Sequence, residues 1–343
     1  AGGKGTRLKF DGVKLGMETE LLLHQTNLQR YARWLKAVQD EANRRNGENK
    51  QNKIILMLSE DNYDDVKAYI EEYLKHEGYF GLEPSQIEFG REMVQPPFPA
   101  VRARDGKMVP SKKSKYLVEV GSGGHGDIHK LMYANGYSKQ AAEAKANLFF
   151  VQDTNPQAVN AGLVGLYEMV KNGWIFNAIA TPRRAGEKTG MLSDWFDSEG
   201  RFVARASAEY STADAQMKKA GLPGDVADAS GLSPFPSNLN MYFIPATAYH
   251  EILDRSRGLI EEMVKPKGED DTPRIETQSQ DWLWLLRTYA PEYAKQVGIT
   301  FFNNPDERDH SFSPVKNAVD GGEKEQGANR PSDTAFRGET AIE

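Results

Sequence analysis

Short apolar segments alternate with helical periodicity along this chain, and that alternation constrains the fold more than any other feature. Apolar runs rich in β-branched and aromatic residues predict buried strands at Lys53–Ser59, Lys115–Val120, Leu148–Gln152, Trp174–Thr181 and Met241–Ile244. Helical spacing between them predicts helices at Asn27–Arg45, Asp64–Glu77, Ile128–Tyr137, Gln157–Asn172, Ile252–Val264 and Gln280–Gln296. This alternation predicts an α/β fold with a mostly parallel sheet flanked by helices.

Composition excludes several classes of function. The 343 residues include no cysteine, so disulfides, thiolate catalysis and cysteine-ligated zinc are ruled out, and a hard cation such as Mg²⁺ is favoured. A formal net charge of -6 argues against a nucleic-acid partner. No segment is apolar enough to predict a membrane span or a signal peptide. We expect a cytoplasmic monomer with small-molecule partners, cut from a longer polypeptide because no methionine precedes Ala1.

The glycine-rich start is the first candidate for ligand binding. Gly2, Gly3 and Gly5 let the backbone turn sharply, so that N–H groups can converge on an anion. Arg7 adds positive charge, and Lys14 follows at a distance from which a loop could return it to the same phosphates. The spacing fits neither the ATPase phosphate loop nor a dinucleotide fingerprint, and a flexible linker is the alternative interpretation.

A second glycine cluster supports a rival function. Gly121-x-Gly123-x-x-Gly126 follows a predicted strand and matches the dinucleotide fingerprint, and Glu119 before it fits an S-adenosylmethionine motif. A methyltransferase or an NAD-dependent enzyme is therefore an alternative.

Two histidines follow the same glycines. His125 and His129 are four residues apart and could bind zinc from one helix face, but only Asp127 is near as a third ligand. The other interpretation makes His129 an ordinary residue at a helix start.

A carboxylate follows the third predicted strand. Asp153 stands where α/β sheets place ligand chemistry, and Mg²⁺ in proteins uses one or two carboxylates together with substrate phosphates. Asp153 or Thr154 could equally cap the helix predicted from Gln157.

Four motifs, taken together, resemble those of the UDP-sugar pyrophosphorylases. Residues 1–8 (AGGKGTRL) resemble AGGxGxRL, and the segment from Lys115 to His129 resembles KYxxxxKPHGHGDVH. Residues 150–155 resemble FxQDTN, and residues 231–240 (GLSPFPSNLN) resemble GFSPFPGNIN. The resemblance covers essentially the whole chain. It implies a Rossmann-like nucleotidyltransferase core over residues 1–317, with residues 318–343 a polar loop and the start of a further segment.

The resemblance also implies an activity and a role for each candidate residue. The family makes UDP-sugar and pyrophosphate from UTP and a sugar 1-phosphate with Mg²⁺. Phosphate charge would be neutralised by Arg7, Lys14 and Lys316, and the metal would be held by Asp153. The nucleotide would be bound by Gly2, Gly3, Gly5, Thr6, Met57, Glu92, Gly124 and His125. The sugar would be bound by Glu209, Asn238, Asn240 and Lys267.

Several positions depart from the family pattern, which leaves a catalytically silent nucleotide-sugar binding module as a further alternative. Glu92 aligns with a glutamine that pairs the edge of uracil, and an ionised glutamate has no proton to give to a uracil carbonyl. Three alternatives follow: Glu92 is protonated, Gln95 takes over its role, or base discrimination is relaxed. Because Pro96 and Pro97 indicate a locally different loop, we favour the role of Gln95. The other departures are Gly121-Ser122-Gly123, Ser211, Ser237 and Lys265.

Overall fold

The structure is a computed structural model. It describes residues 12–18, 24–101, 105–155, 157–187, 189–208, 210–267 and 271–302. These residues fall into two compact units. The first contains the described residues within Ala1–Val94 and Val151–Gly162, and the second contains those within Gln95–Phe150 and Leu163–Arg308.

A long helix and a few short strands make up the first unit. In chain order they are α1 (Asn27–Asn46), β1 (Ile54–Ile55), β2 (Leu58–Ser59), α2 (Tyr63–Ala68), a π-helical segment (Tyr69–Leu74) and β3 (Ile87–Glu88). Strands β1 and β3 pair in parallel.

Helix α1 has clear signals at both ends. A capping box of Thr26 and Gln29 starts it, and Gly47 ends it in the left-handed conformation, so the predicted bounds differ from the observed ones by one residue. Its buried face joins an apolar core of Leu15, Leu28, Ala32, Leu56, Leu58, Tyr63, Val66, Ile70, Leu74, Leu82 and Ile87.

The second unit carries a six-stranded sheet and most of the helices. The unit boundary falls inside β4 (Val94–Gln95). The hairpin strands are β5 (Pro97–Pro99), β6 (Pro110–Ser111), β7 (Ser114–Val118), β8 (Val120–Ser122), β14 (Met263–Lys267) and β15 (Asp271–Glu276). The sheet strands are β9 (Asn147–Phe150), β10 (Phe176–Thr181), β11 (Met191–Phe196), β12 (Phe202–Ala208), β13 (Ser237–Pro245) and β16 (Val297–Phe301). The helices are α3 (Asp127–Ala134), α4 (Tyr137–Glu143), α5 (Ala158–Asn172), α6 (Tyr210–Lys219), α7 (Ala246–Ser256) and α8 (Trp282–Tyr289).

The six-stranded sheet is mixed, and its neighbouring strands are mostly antiparallel. Its order is β12-β11-β13-β10-β16, with β9 also pairing with β13. Of these five pairings only β10 with β16 is parallel. The chain passes from β9 through α5 to β10 as a parallel crossover would, but β13 lies antiparallel between the two strands. The mixed α/β class is confirmed, whereas the expected predominance of parallel pairs is wrong for this sheet.

One predicted helix is wrong over its second half. The segment predicted from Ile252 to Val264 is helical only as far as Ser256, because Arg257 and Gly258 adopt left-handed conformations with φ of 56° and 74°. The chain then enters the antiparallel hairpin β14–β15. Among the described residues, no helix is long and apolar enough to cross a membrane.

Candidate functional site

A short turn that contains Asp153 is tied to helix α1. The Tyr31 hydroxyl lies 2.9 Å from the Gln152 carbonyl oxygen and 2.7 Å from that of Asn155, and donates to them. The Asn155 N–H closes the turn on the Gln152 carbonyl at 3.3 Å. The pKa of Tyr31 is raised far above its ordinary value, first by burial and then by the negative charge of Asp153. The phenol therefore stays protonated, and Asp153 lies close enough to it to act electrostatically.

Lys14 lies in a second turn held by the same helix. It opens a 3₁₀ turn at Lys14–Gly16, and Asn27 donates from its side chain to the Lys14 carbonyl at 3.2 Å. The backbone N–H of Asn27 also donates to the Met17 carbonyl, at 3.2 Å. A Cβ on Gly16 would lie 2.8 Å from the Tyr69 ring, so the turn packs closely on the π-helical segment.

In the second unit, the glycines that precede α3 pack against protein backbone. Gly124 has a φ of +93°, and an added Cβ would overlap the Thr277 carbonyl oxygen. A Cβ on Gly126 would lie 2.8 Å from the Gln278 backbone. Close approach of the Thr277–Gln278 segment therefore explains both glycines.

The same geometry weakens the cofactor interpretation of Gly121 to Gly126. In a dinucleotide-binding fold the glycine turn leaves a strand of the main parallel sheet and faces the ligand. Here β8, which contains Gly121, pairs antiparallel with β5 in a separate two-stranded sheet. The fingerprint match is therefore explained by packing.

Gln95 and Thr277 fix this glycine loop through hydrogen bonds. Gln95 donates from its amide nitrogen to the Gly124 carbonyl and to the Asp127 carboxylate, the latter at 2.9 Å. Thr277 donates from its hydroxyl, 2.9 Å from the Gly123 carbonyl oxygen and 3.0 Å from Asp127 Oδ1.

Both amide protons of Gln95 are thus used within the protein. The amide nitrogen of Gln95 is directed at Gly124 and Asp127 in this structure, and its role towards the uracil edge stays a prediction. Glu92 is exposed, and its carboxylate turns back over Gly90.

The two histidines differ in environment. His129 is completely buried: its Nε2 donates to the Ser279 carbonyl at 2.8 Å, and its Nδ1 lies 2.8 Å from the Tyr249 hydroxyl, which must then donate. Burial lowers the pKa of His129 to about 4, so the ring is neutral. His125 is exposed, and its Nδ1 accepts from the Ser279 N–H at 3.0 Å. In the neutral ring its proton therefore lies on Nε2. The helix-start interpretation of His129 is favoured over a zinc pair.

Asn238 and Asn240 lie on β13 and bind one another. Asn238 is buried and donates to Ser207 Oγ and to Asn240 Oδ1, both at 3.0 Å. It also accepts from the Asn240 N–H at 3.0 Å. Asn240 is half-buried and has a φ of 51°. The two side chains form an ordered pair, and their role towards a sugar stays a prediction.

A buried ion pair that the sequence did not single out supports the loop before β13. Arg183 and Asp225 lie 2.8 Å apart, with side-chain exposures of 0% and 1%. Asp225 also accepts from Ser233 Oγ at 2.5 Å and from the Gly186 N–H at 2.7 Å. A buried salt bridge between residues 42 positions apart leaves no local periodicity.

Several predicted residues lie outside the described part of the chain. They are Gly2, Gly3, Gly5, Thr6, Arg7, Glu209 and Lys316. Met57 lies between β1 and β2 and is half-buried, and Lys267 lies at the end of β14.

Comparison with curated proteins covers the whole chain. It is 30% identical over 353 residues to a UDP-sugar pyrophosphorylase from Arabidopsis thaliana, and this alignment includes 100% of the chain and 55% of the plant protein. A UDP-sugar pyrophosphorylase from Oryza sativa subsp. japonica is 31% identical, with 54% of that protein covered. This chain is a homologue of the UDP-sugar pyrophosphorylases. It spans about half the length of the curated relatives it matches. No family model matches it.

Solved structures show the same fold. A UDP-N-acetylglucosamine pyrophosphorylase from Trypanosoma brucei superimposes with a TM-score of 0.71 at 19% identity, covering 98% of this chain and 63% of that one. A mutant UDP-glucose pyrophosphorylase from Leishmania major, in complex with UDP-glucose, gives 0.64 at 16% identity, with 93% and 63% covered. The chain therefore shares its fold with solved UDP-N-acetylglucosamine and UDP-glucose pyrophosphorylases.

Asp153 offers a carboxylate, a donor type that suits magnesium. Within the described ranges, no three His, Asp or Glu side chains are grouped as a metal cage. Asp153 would offer one hard carboxylate from a fixed turn. Mg²⁺ suits such a site, because it usually binds one or two carboxylates and takes its other ligands from water and substrate phosphates.

Proposed function

We propose that this chain carries the catalytic core of a Mg²⁺-dependent uridylyltransferase, which converts UTP and a monosaccharide 1-phosphate into UDP-sugar and pyrophosphate. The observation that carries the proposal is its identity of at least 30%, along the whole chain, to proteins named UDP-sugar pyrophosphorylase. Support also comes from Asp153 and Lys14, the two predicted catalytic residues whose surroundings are described, because each lies in a turn anchored to α1.

The reaction asks for alignment and charge neutralisation. A phosphate oxygen of the sugar 1-phosphate attacks the α-phosphorus of UTP, the bond to the β-phosphate breaks, and pyrophosphate leaves. The nucleophile is already anionic, so no general base is needed. Lys14, Arg7 and Lys316 would neutralise phosphate charge, and Asp153 would hold the magnesium ion, which would stabilise charge on the phosphate oxygens.

The remaining predicted residues are assigned to the nucleoside and to the sugar of the UDP-sugar product. Glu92, Met57, Gly124 and His125 would contact the nucleoside, with His125 offering Nε2–H as a donor because its Nδ1 is already an acceptor. Asn238, Asn240, Glu209 and Lys267 would contact the sugar. Ser207 would keep the Asn238 amide oriented.

The deciding experiment measures pyrophosphate release by the 343-residue chain from UTP and a panel of sugar 1-phosphates, with and without Mg²⁺. We expect Mg²⁺-dependent release, which Asp153→Asn lowers roughly 100-fold or more, equivalent to about 2.7 kcal/mol. Asp197→Asn, which alters an exposed turn, is the matched control and should retain activity. Normal Mg²⁺-dependent turnover by Asp153→Asn would contradict the metal assignment.

The same samples distinguish the alternatives. Calorimetric binding of UDP-glucose without turnover by the unsubstituted chain would indicate a silent nucleotide-sugar binding module. Micromolar binding of S-adenosylmethionine or NAD would restore the cofactor interpretation of the glycines from Gly121 to Gly126. We expect neither outcome, because the backbone of Thr277 and Gln278 packs directly against Gly124 and Gly126.

A further inference from the structure

Two residues on the first turns of α1 hold the two segments to which catalysis is assigned. Asn27 bonds the Lys14 turn through its side chain and its backbone N–H. Tyr31 bonds the Asp153 turn at both ends, at Gln152 and at Asn155. Residues four apart in an α-helix lie one above the other on one face. One rigid element is therefore bonded to both turns.

We propose that Tyr31 is a positioning residue: its hydroxyl spans the turn from Gln152 to Asn155 and thereby fixes the carboxylate of Asp153. The inference rests on the proposed function, because that function supplies the metal-holding role of Asp153. Tyr31 itself contacts neither substrate nor metal in this assignment.

The hydroxyl is suited to the task because it bonds backbone on both sides of Asp153. Its single proton is shared by two carbonyl oxygens, at 2.9 Å and 2.7 Å, and these carbonyls bracket the carboxylate in sequence. A hydrogen bond to a backbone carbonyl restrains the main chain whatever rotamer Asp153 adopts. The position of Tyr31 is in turn fixed by α1, whose capping box and buried face limit its movement.

One backbone hydrogen bond closes the turn, and a second joins it to the start of α5. The Asn155 N–H bonds the Gln152 carbonyl at 3.3 Å, near the long end of hydrogen-bond distances, and the Ala158 N–H bonds Asn155 O at 3.0 Å. Loss of the Tyr31 hydroxyl would remove the bonds that tie both ends of the turn to α1. Misplacement of a reacting group by about 1 Å can cost on the order of 100-fold in rate.

The test is Tyr31→Phe, which removes the hydroxyl and keeps the ring. Tyr73→Phe is the matched control, because it also removes a hydroxyl bonded to α1, at Gln29, far in sequence from the Asp153 turn. Hydrogen–deuterium exchange without metal reports on the turn directly, through the amides of residues 153–155. Steady-state kinetics report kcat, the KM for UTP and the Mg²⁺ concentration at half-maximal activity.

In Tyr31→Phe, we expect the amides of residues 153–155 to exchange at least tenfold faster. We also expect kcat to fall at least tenfold, with the KM for UTP changed less than twofold. The Mg²⁺ requirement should rise several-fold. Tyr73→Phe should leave all four measurements within twofold of the unsubstituted chain, and both variants should melt at similar temperatures.

Unchanged exchange in Tyr31→Phe would overturn the proposal, because the turn would then be held without the hydroxyl. Faster exchange with unaltered kcat and Mg²⁺ requirement would also overturn it, since the turn would then not set the carboxylate. Failure of the proposed function is read from different samples, namely the unsubstituted chain and Asp153→Asn.

Discussion

The residues around α3 show that contacts with a distant segment of the same chain can require a glycine that a sequence motif assigns to ligand binding. Gly124 and Gly126 are required because Thr277 and Gln278 approach them closely. A sequence motif can indicate that a glycine is required at a position. It cannot indicate which segment more than 150 positions away makes the contact. For the same reason the engagement of Gln95 with Asp127 could not be predicted.

The first prediction tests this packing at a single residue. Gly124→Ala places a Cβ against the Thr277 carbonyl in a backbone with φ of +93°, so we expect a loss of about 2 kcal/mol or more in the free energy of unfolding. Gly121→Ala is the control, because its Cβ would meet nothing within 4 Å. Urea denaturation of both variants gives the comparison. Equal stabilities would show that the close approach to Thr277 is absent in solution.

At the scale of elements, the sequence predicted the helices and strands whose ends or composition are marked by residues within the element itself. Helix α1 was found within one residue because Thr26, Gln29 and Gly47 mark its ends. Strand β10 was found because its six residues are all buried and apolar or small. By contrast β11 and β12 were missed. Both strands contain polar and charged side chains, such as Asp194 and Arg205, which interrupt the apolar runs used to predict strands.

The sheet topology could not be predicted from these elements. Strand–helix alternation identifies the crossover from β9 to β10, but it carries no information on a later strand inserted between them. Strand β13 begins more than 50 residues after β10 ends, and its antiparallel direction follows from the connections that precede it.

The second prediction concerns the segment that Arg183 supports. Arg183→Met leaves the Asp225 carboxylate buried without its cation, and removal of one partner of a buried ion pair costs about 3 to 5 kcal/mol. Arg205→Met is the control, because its ion pair with Asp194 is about one-third exposed and such pairs contribute about 1 kcal/mol or less. Thermal denaturation should show a large decrease in melting temperature for Arg183→Met and a small decrease for Arg205→Met. Similar losses would mean that the Arg183 pair is solvated.

At the scale of the whole molecule, chain order and spatial organisation differ. The first compact unit combines residues from 1–94 with residues from 151–162, so Asp153 belongs with Lys14 and Tyr31 although about 120 residues separate Tyr31 from Asn155. The sequence places Asp153 at the end of a predicted strand. It does not reveal that the Tyr31 hydroxyl bonds the turn around Asp153. The buried, neutral His129 likewise depends on three segments brought together by folding.

The last prediction is that unfolding free energy depends on pH through His129. Burial holds its pKa near 4 in the folded chain, with a smaller lowering by His125, against about 6.5 in the unfolded chain. The unfolded state therefore binds a proton first as pH falls. Stability should rise with pH between 4 and 6.5, and the His129 contribution across that window is at most about 3 kcal/mol.

The measurement is urea denaturation of the whole chain at several pH values, compared with His129→Gln and with His76→Gln, whose ring is exposed. Carboxylates also change the unfolding free energy as the pH falls. The difference in unfolding free energy between the unsubstituted and His129→Gln chains therefore isolates the contribution of His129. Between pH 4 and 6.5, the unfolding free energy of His129→Gln should rise less steeply with pH than that of the unsubstituted chain, even if the variant is less stable at every pH. His76→Gln should keep the slope of the unsubstituted chain. Nuclear magnetic resonance of the six histidine rings gives a direct check. A His129 ring that titrates near 6.5 in the folded protein would show that it is hydrated, and the link between this burial and acid stability would be wrong.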